Sequence, residues 1–183
     1  MKPSAGPFVF ETAALGYLAR GAEKAAARWF LRYLDLFPVY LSAATVIEQV
    51  RGYALLRERA APGRAAALEA ARDAYLDRLA SPAVAVLPVT AAEAFLAAQL
   101  GVLVPFSPHP PYRQGARVES RPDRLARWRS QILVAATALA SGLPLIHRNT
   151  RDYGPIRDLV VEFPARFPGI AAPPFVPVER LRT

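Results

Sequence analysis

Three acidic side chains stand in short segments whose composition suits chemistry on a phosphodiester: Glu11 in VFET, Glu48 in TVIEQVRG and Asp152 in HRNTRDY. Asn149 precedes Asp152 by three residues in the last of these segments. Hard dications such as Mg²⁺ bind oxygen ligands, and carboxylates from several elements can hold them against a phosphate. The sequence therefore predicts an acidic site, provided that the fold brings the three segments together.

Each carboxylate also has an ordinary structural explanation. Glu11 can favour the N-terminus of the helix that follows it, and Glu48 can pair with Arg51 on a helix surface. Asp152 can fix an Asx-type turn. Glycine within a helix costs about 1 kcal/mol relative to alanine, so Gly52, four residues after Glu48, predicts a packing or close-approach constraint. The residues alone leave structural and functional explanations open.

Alternating strands and helices must position these segments. Short apolar runs predict strands at residues 8–10, 39–41, 83–87, 143–146 and 159–163. Periodicity predicts helices at residues 13–20, 23–34, 42–59, 64–79, 91–100 and 123–140, with N-caps at Ser42, Thr90 and Asp123. The alternation predicts an α/β protein with a mostly parallel sheet and helices on both faces. Ligands of such sheets bind beyond the carboxyl ends of the strands, where the loop holding Asn149 and Asp152 is expected.

Two Pro-rich segments interrupt this alternation. Residues 101–122 are predicted to form a long irregular connection, whose aromatic and basic side chains suit single-stranded nucleic acid but are also common in basic loops: Tyr112, Arg113, Gln114, Arg117 and Arg121. Residues 165–183 show neither helical nor strand periodicity. We predict a domain over residues 1–164 and a tail, 165–183, that packs on the domain or on a partner.

Charge and composition narrow the classes of function. Lys and Arg number 23 against 15 Asp and Glu, and the net charge of +8 favours a polyanionic partner such as RNA or DNA, although charge for solubility is the alternative. The chain has no cysteine, and neither His109 nor His147 has a second ligand at metal-binding spacing, which disfavours structural zinc. No signal peptide or membrane span is predicted, and a cytoplasmic location is compatible with the composition.

The order of these motifs resembles the PIN-domain ribonucleases, in particular the VapC-type toxins of bacterial toxin-antitoxin pairs. Those proteins typically carry a first strand ending in Asp-Thr and a helix with Glu four residues before Gly. An Asp three residues before an Ile-Ala-Ala-like run follows, and then a strand with Thr-x-Asn-x-x-Asp-Phe. The matching stretches here are VFET, EQVRG, QILVAA and HRNTRDY, within residues 8–163. The resemblance implies a PIN-like three-layer α/β/α sandwich with a mostly parallel central sheet.

The resemblance also implies site residues. Glu11 takes the first acidic position, Glu48 the helical Glu and Asp152 the last Asp, while the third acidic position falls on Gln131. These four are the expected ligands of Mg²⁺ or Mn²⁺, and Asn149 joins the three carboxylates as a catalytic residue. Glu11 is one methylene longer than the family's Asp, and Gln131 lacks its charge, so metal binding is expected to be weakened or lost.

Four further residues near these motifs are expected to contact substrate. Thr12 takes the place of the family's hydroxyl after the first acidic residue, and Arg148 and Arg151 suit phosphate contacts. His147 stands where the family usually has Thr or Ser. It is expected to be either a substrate ligand or general base, or a buried polar residue at the strand end.

The resemblance therefore implies a metal-dependent endoribonuclease acting on RNA, with activity reduced by Glu11 and Gln131, since a misplacement of about 1 Å can cost on the order of 10²-fold in rate. The alternative is a catalytically inactive PIN-fold module that binds RNA or another protein. A third hypothesis, an unrelated α/β enzyme for a small phosphorylated molecule, lacks a Gly-rich phosphate loop. An antitoxin partner and a homodimer are further implications of the resemblance.

Overall fold

A parallel β-sheet forms the centre of the protein. The computed structural model describes residues 1–21, 23–108, 110–114 and 117–181, and for residues 113, 114 and 117 it describes the backbone alone. The sheet contains β1 (Val9–Phe10), β2 (Val39–Ser42), β3 (Val84–Leu87), β6 (Leu145–His147) and β7 (Phe175–Pro177). All neighbouring pairs are parallel, in the order β3-β2-β1-β6-β7. A separate antiparallel hairpin joins β4 (Arg113–Gln114) to β5 (Arg117–Val118).

Helices connect the strands and cover both faces of the sheet. Their bounds are α1 Thr12–Ala19, α2 Lys24–Leu34, α3 Ala43–Glu58, α4 Pro62–Leu79, α5 Ala91–Leu103, α6 Arg121–Ser141 and α7 Thr150–Glu162. No helix in the described ranges is both long and apolar enough to cross a membrane.

Alternating side chains of the central strands divide the core into two parts. Phe8 and Phe10 point into a cluster with Trp29 and Tyr33 of α2, whereas Val9 between them packs with α5, α6 and α7. Successive residues of a strand face opposite sides of a sheet, so one apolar run supplies both cores. The predicted α/β fold with helices on both faces is confirmed.

The helix caps show which local predictions succeed. Ser42 and Thr90 accept hydrogen bonds from the amides of Ala44 and Ala92, as their predicted N-cap roles require. The prediction for Asp123 is wrong, because Ser120 caps α6 and Asp123 lies in the first turn of that helix. An acidic residue there still favours the helix N-terminus.

Two predicted elements differ from the structure. Residues 159–163 were expected to form the last strand, but α7 continues to Glu162 and buries Ile156 and Val160 at helical spacing. The fifth strand is instead β7, in the Pro-rich segment, and Leu145 pairs with Phe175. Proline is tolerated at a sheet edge, which allows this short strand to end at Pro177.

Gly52 does not have the packing constraint that its helical position suggested. A β-carbon built at this residue meets no heavy atom within 4 Å. Neither a close helix contact nor a positive φ therefore explains the glycine. The expectation that Gly52 marks a close approach near Glu48 is wrong.

Candidate acidic site

Glu11 begins the site at the carboxyl end of β1. Its carboxylate caps α1 by accepting a hydrogen bond from the amide of Ala14 at 3.0 Å, and it lies 3.4 Å from the amide of Arg148. Burial raises the pKa of Glu11, the backbone amides oppose this, and the nearby charge of Glu48 raises the pKa further. Glu11 therefore performs its predicted structural role while facing a second carboxylate.

Glu48 reaches the same place from α3. The hydroxyl of Thr12 donates to Glu48 Oε2 at 3.3 Å, and the hydroxyl of Ser130 on α6 lies 3.5 Å from the same atom. Burial raises the pKa of Glu48, and these hydrogen bonds reduce that effect. The fold brings Glu11 and Glu48 together, as the order of the motifs predicted.

Asp152 is fully buried in the first turn of α7. The segment was expected to be a loop, but Asn149 is the N-cap of a helix, and its side-chain oxygen accepts from the Asp152 amide at 3.3 Å. Asn149 Nδ2 donates to Asp152 Oδ2, and the Ser107 hydroxyl donates to Oδ1 at 2.6 Å. The contact from the Asp152 amide satisfies one of the amides that a helix start leaves free, and the contact from Asn149 Nδ2 joins the two side chains. The first turn of α7 therefore fixes the orientation of this carboxylate.

Arg127 of α6 contacts two carboxylates, those of Asp152 and Glu119, and the sequence analysis did not identify it. Its Nη1 atom donates to Asp152 at 3.0 Å and lies 3.4 Å from the Gln131 oxygen. Its Nε and Nη2 atoms donate to the two oxygens of Glu119 at 2.9 and 3.1 Å. The ring of Tyr112 lies 4.3 Å from the guanidinium carbon. A guanidinium suits this planar, two-pronged contact with a carboxylate.

The charged groups around Arg127 change one another's pKa. Burial alone would lower the pKa of Arg127, but hydrogen bonding to Glu119 and the charge of Asp152 raise it above its usual value. Hydrogen bonding to Arg127 lowers the pKa of Glu119. Gln131, one helical turn beyond Arg127, is buried at the same site and contributes a neutral oxygen. One cation thus contacts two carboxylates and an amide.

A dication does not fit the side chains in this arrangement. Both oxygens of Asp152 already accept hydrogen bonds. One of these hydrogen bonds is donated by the cationic Arg127. Glu11 is engaged with the start of α1, and Gln131 carries no charge. Within the described part of the chain, no three His, Cys, Asp or Glu residues are grouped so as to hold a metal ion.

The residues expected to contact substrate differ in exposure. His147 is 1% exposed, its ring centroid lies 5.1 Å from that of Tyr153, and burial lowers its pKa to about 4. Arg148 is exposed, lies over the ring of Tyr17 and is 3.5 Å from Glu179. Arg151 is exposed in the first turn of α7. The two arginines are accessible to a large ligand, whereas the histidine is enclosed.

Several side chains of the predicted basic loop lie outside the part of the chain that the structure describes. His109 and the side chains of Arg113, Gln114 and Arg117 are not among the described parts of the chain. Tyr112 is described, and its ring packs on Arg127.

Comparison with known proteins supports the fold rather than an activity. No protein-family model matches the chain, and no curated protein matches its sequence. Among solved structures it is similar to VapBC2 from Rickettsia felis, crystallised with a DNA fragment from their promoter. The TM-score is 0.51 at 11% identity, over 93% of this chain and 97% of that chain. This likeness and the all-parallel sheet define a protein with a PIN-like fold.

Proposed function

We propose that this protein is a PIN-fold RNA-binding protein whose acidic site is closed by Arg127, so that it binds RNA without metal-dependent cleavage. The ion pair between Arg127 and the buried Asp152 supports this proposal most strongly. The guanidinium supplies positive charge at the place where the family resemblance implies a dication. We therefore propose that any dependence of RNA cleavage on Mg²⁺ or Mn²⁺ is weak or lost.

The energy of the ion pair indicates how strongly it opposes a metal ion. A dication that displaced Arg127 from Asp152 would itself neutralise the carboxylate, so the cost is the charged hydrogen bond that the guanidinium loses. Such a bond contributes about 1.5–3 kcal/mol, and its loss would weaken the affinity for the dication by roughly 10–10²-fold, since about 1.4 kcal/mol corresponds to a factor of ten. Hydrolysis through such an ion would be reduced accordingly.

The exposed basic side chains beside the site support RNA as the ligand. Arg148 and Arg151 follow β6 and are exposed next to the acidic groups, and the whole chain has a net charge of +8. Contacts from arginine to phosphate provide affinity without sequence preference. We expect these two residues to position the RNA backbone. Thr12, beside Glu48, and Asn149, at the start of α7, are proposed to contact it as well.

A reduced metal-dependent endoribonuclease is the second candidate. Glu11 and Glu48 support it, because burial raises the pKa of both carboxylates, and perturbed carboxylates are common among catalytic acids and bases. In this alternative Arg127 leaves the site when substrate binds. Glu11, Glu48, Asp152 and Gln131 would then hold Mg²⁺ or Mn²⁺.

A protein partner and a second copy of the chain belong to the same proposal. The structural neighbour is a VapBC2 assembly on promoter DNA. By that analogy we propose an antitoxin-type protein as partner and a homodimer as the assembly.

RNA binding and cleavage can be measured together on one set of samples. Fluorescence anisotropy with labelled single-stranded and hairpin RNAs is expected to give the same affinity in EDTA, Mg²⁺ and Mn²⁺, and gels are expected to show intact RNA. Replacing Arg148 and Arg151 by Ala should reduce the slope of log affinity against log salt by about 2. The matched control replaces Arg28 and Arg32, exposed on α2, and should retain most of the affinity.

Two results distinguish the candidates. Cleavage that requires Mg²⁺ or Mn²⁺ and disappears in Glu48→Gln would favour the endoribonuclease. No affinity for any RNA, with the protein folded, would contradict RNA binding itself.

A further inference from the structure

A cavity lies beside the acidic site, bordered by α1, the α3–α4 hairpin and strands β2 and β3. Its volume is about 540 Å³, which lies within the range of roughly 300–1,000 Å³ of small-molecule sites. Thr12 lines this cavity and also donates to Glu48. The cavity and the acidic site therefore share a wall.

Most of the cavity wall is apolar, with an aromatic part. The aliphatic side chains are Leu15, Ala19, Val39, Leu41, Leu79 and Val84. Tyr53 and Tyr75 add two rings whose centroids are 6.2 Å apart. Aliphatic and aromatic faces of this kind suit the flat face of a heterocycle.

Thr45 and Tyr75, which line this cavity, each carry a buried hydroxyl with no hydrogen-bond partner among the described residues. Thr45 is 2% exposed and Tyr75 is 9% exposed, and neither Thr45 Oγ1 nor the Tyr75 hydroxyl is bonded to any described residue. Buried polar atoms are nearly always paired, because an unpaired one loses its hydration without compensation. Both residues line the cavity, so a ligand that enters it and displaces the atoms covering the two hydroxyls can hydrogen-bond to them.

The polar residues at the cavity suggest the chemistry of that ligand. Gln49 offers both a donor and an acceptor. Arg78 is exposed on α4 and, within the described part of the chain, forms no ion pair. An unpaired guanidinium suits a phosphate or carboxylate. An aliphatic ligand would leave both hydroxyls unpaired, whereas a heterocycle with a polar edge and an attached phosphate would engage all of these groups.

We propose that this cavity binds a nucleotide. The base packs against the apolar wall with its polar edge on Thr45, Tyr75 and Gln49, and its phosphate contacts Arg78. The nucleotide is either free or one residue of an RNA strand that extends toward the acidic site past Thr12. Only the second form rests on the proposed RNA binding.

Calorimetric titration of the full chain with AMP, GMP, CMP and UMP tests the proposal. At least one nucleotide is expected to bind, with its nucleoside weaker by about tenfold because the contact between phosphate and Arg78 is lost. Arg78→Ala should weaken the nucleotide by a similar factor and leave the nucleoside unchanged. Arg64→Ala, an exposed arginine on the same helix, is the matched control and should change neither.

The two hydroxyls are tested by Thr45→Val and Tyr75→Phe. Each is expected to weaken nucleotide binding about tenfold. The melting temperature without ligand should be unchanged or higher, since each change removes an unpaired buried hydroxyl. Unchanged nucleotide affinity in both variants would contradict the proposal, as would binding of a long-chain fatty acid with none of the nucleotides.

RNA titrations of the same variants separate this proposal from the RNA-binding function. If RNA binds equally to the wild type, Thr45→Val and Arg78→Ala while no mononucleotide binds, the cavity proposal fails and RNA binding stands. If mononucleotides bind with the expected dependence but RNA does not, the cavity proposal stands and the RNA-binding function fails. Competition between RNA and the bound nucleotide would support the cavity as an RNA subsite.

Discussion

Replacing Arg127 by Met is expected to lower the free energy of unfolding by about 3–5 kcal/mol, because it leaves a buried charge on Asp152 without its cation. Asp152 is fully buried, and the Arg127 side chain is only 12% exposed, so water cannot replace the lost contact efficiently. Glu119 loses its partner as well. Chemical denaturation at neutral pH measures this change.

Two further variants test whether charge is the cause. Arg127→Met combined with Asp152→Asn removes both charges, and the double variant should be more stable than the sum of the single losses predicts, by about 0.5–3 kcal/mol. Arg129→Met alters an exposed arginine on the same helix and should stay within about 0.5 kcal/mol of the wild type. A loss below about 1 kcal/mol in Arg127→Met would mean that the ion pair does not stabilise the site.

Acidification from pH 7 to pH 4 is expected to remove roughly 3 kcal/mol of stability through His147 alone. Burial lowers the pKa of this histidine from 6.5 to about 4 in the folded protein. Between these values the unfolded chain binds a proton that the folded protein does not. The contribution is therefore fully present above pH 6.5 and is lost as the pH falls toward 4.

The comparison that isolates His147 is the pH profile of His147→Leu, which should lack this loss. Glu11 and Glu48 change the stability with pH in the opposite direction. Burial raises the pKa of both carboxyl groups, so their contribution to stability is present below pH 4.5 and is lost as the pH rises through their pKa values in the folded protein. Glu48→Gln should accordingly steepen the decline on acidification. Parallel profiles for the wild type and His147→Leu would show that the ring is not held neutral by the fold.

The local parts of the fold could be predicted from the sequence because their causes are local. Ser42 and Thr90 cap their helices through amides two residues away. The alternation at Phe8, Val9 and Phe10 assigns side chains to the two cores from strand geometry alone. Such features need no information about distant segments.

The errors in the predicted fold arise where contacts with distant segments determine whether a residue run forms a helix or a strand. The apolar run at residues 159–163 is compatible with a strand or a helix, and α7 is chosen because Ile156 and Val160 pack into the core on one helical face. Strand β7 is three residues long, follows two prolines and ends on a third. Only its pairing with β6, some thirty residues earlier, defines it as a strand.

The candidate site also has a part that the sequence predicts and a part that it does not. The convergence of Glu11 and Glu48 follows from the motif order and a parallel sheet. Arg127 was missed, although its position four residues before Gln131 places both on one face of a helix, a signal visible in the sequence. Glu119 and Ser107 lie in the Pro-rich connection, and no periodicity there indicates which side chains reach the site.

Calorimetric titration of Mn²⁺ into the metal-stripped wild type and Arg127→Met tests most directly whether Arg127 takes the place of a dication. We expect no site-specific binding to the wild type at millimolar Mn²⁺. Any binding gained by Arg127→Met should disappear when Asp152→Asn is added. Site-specific binding to the wild type that Asp152→Asn abolishes would contradict the account, because it would show that a dication is held at Asp152 with Arg127 present.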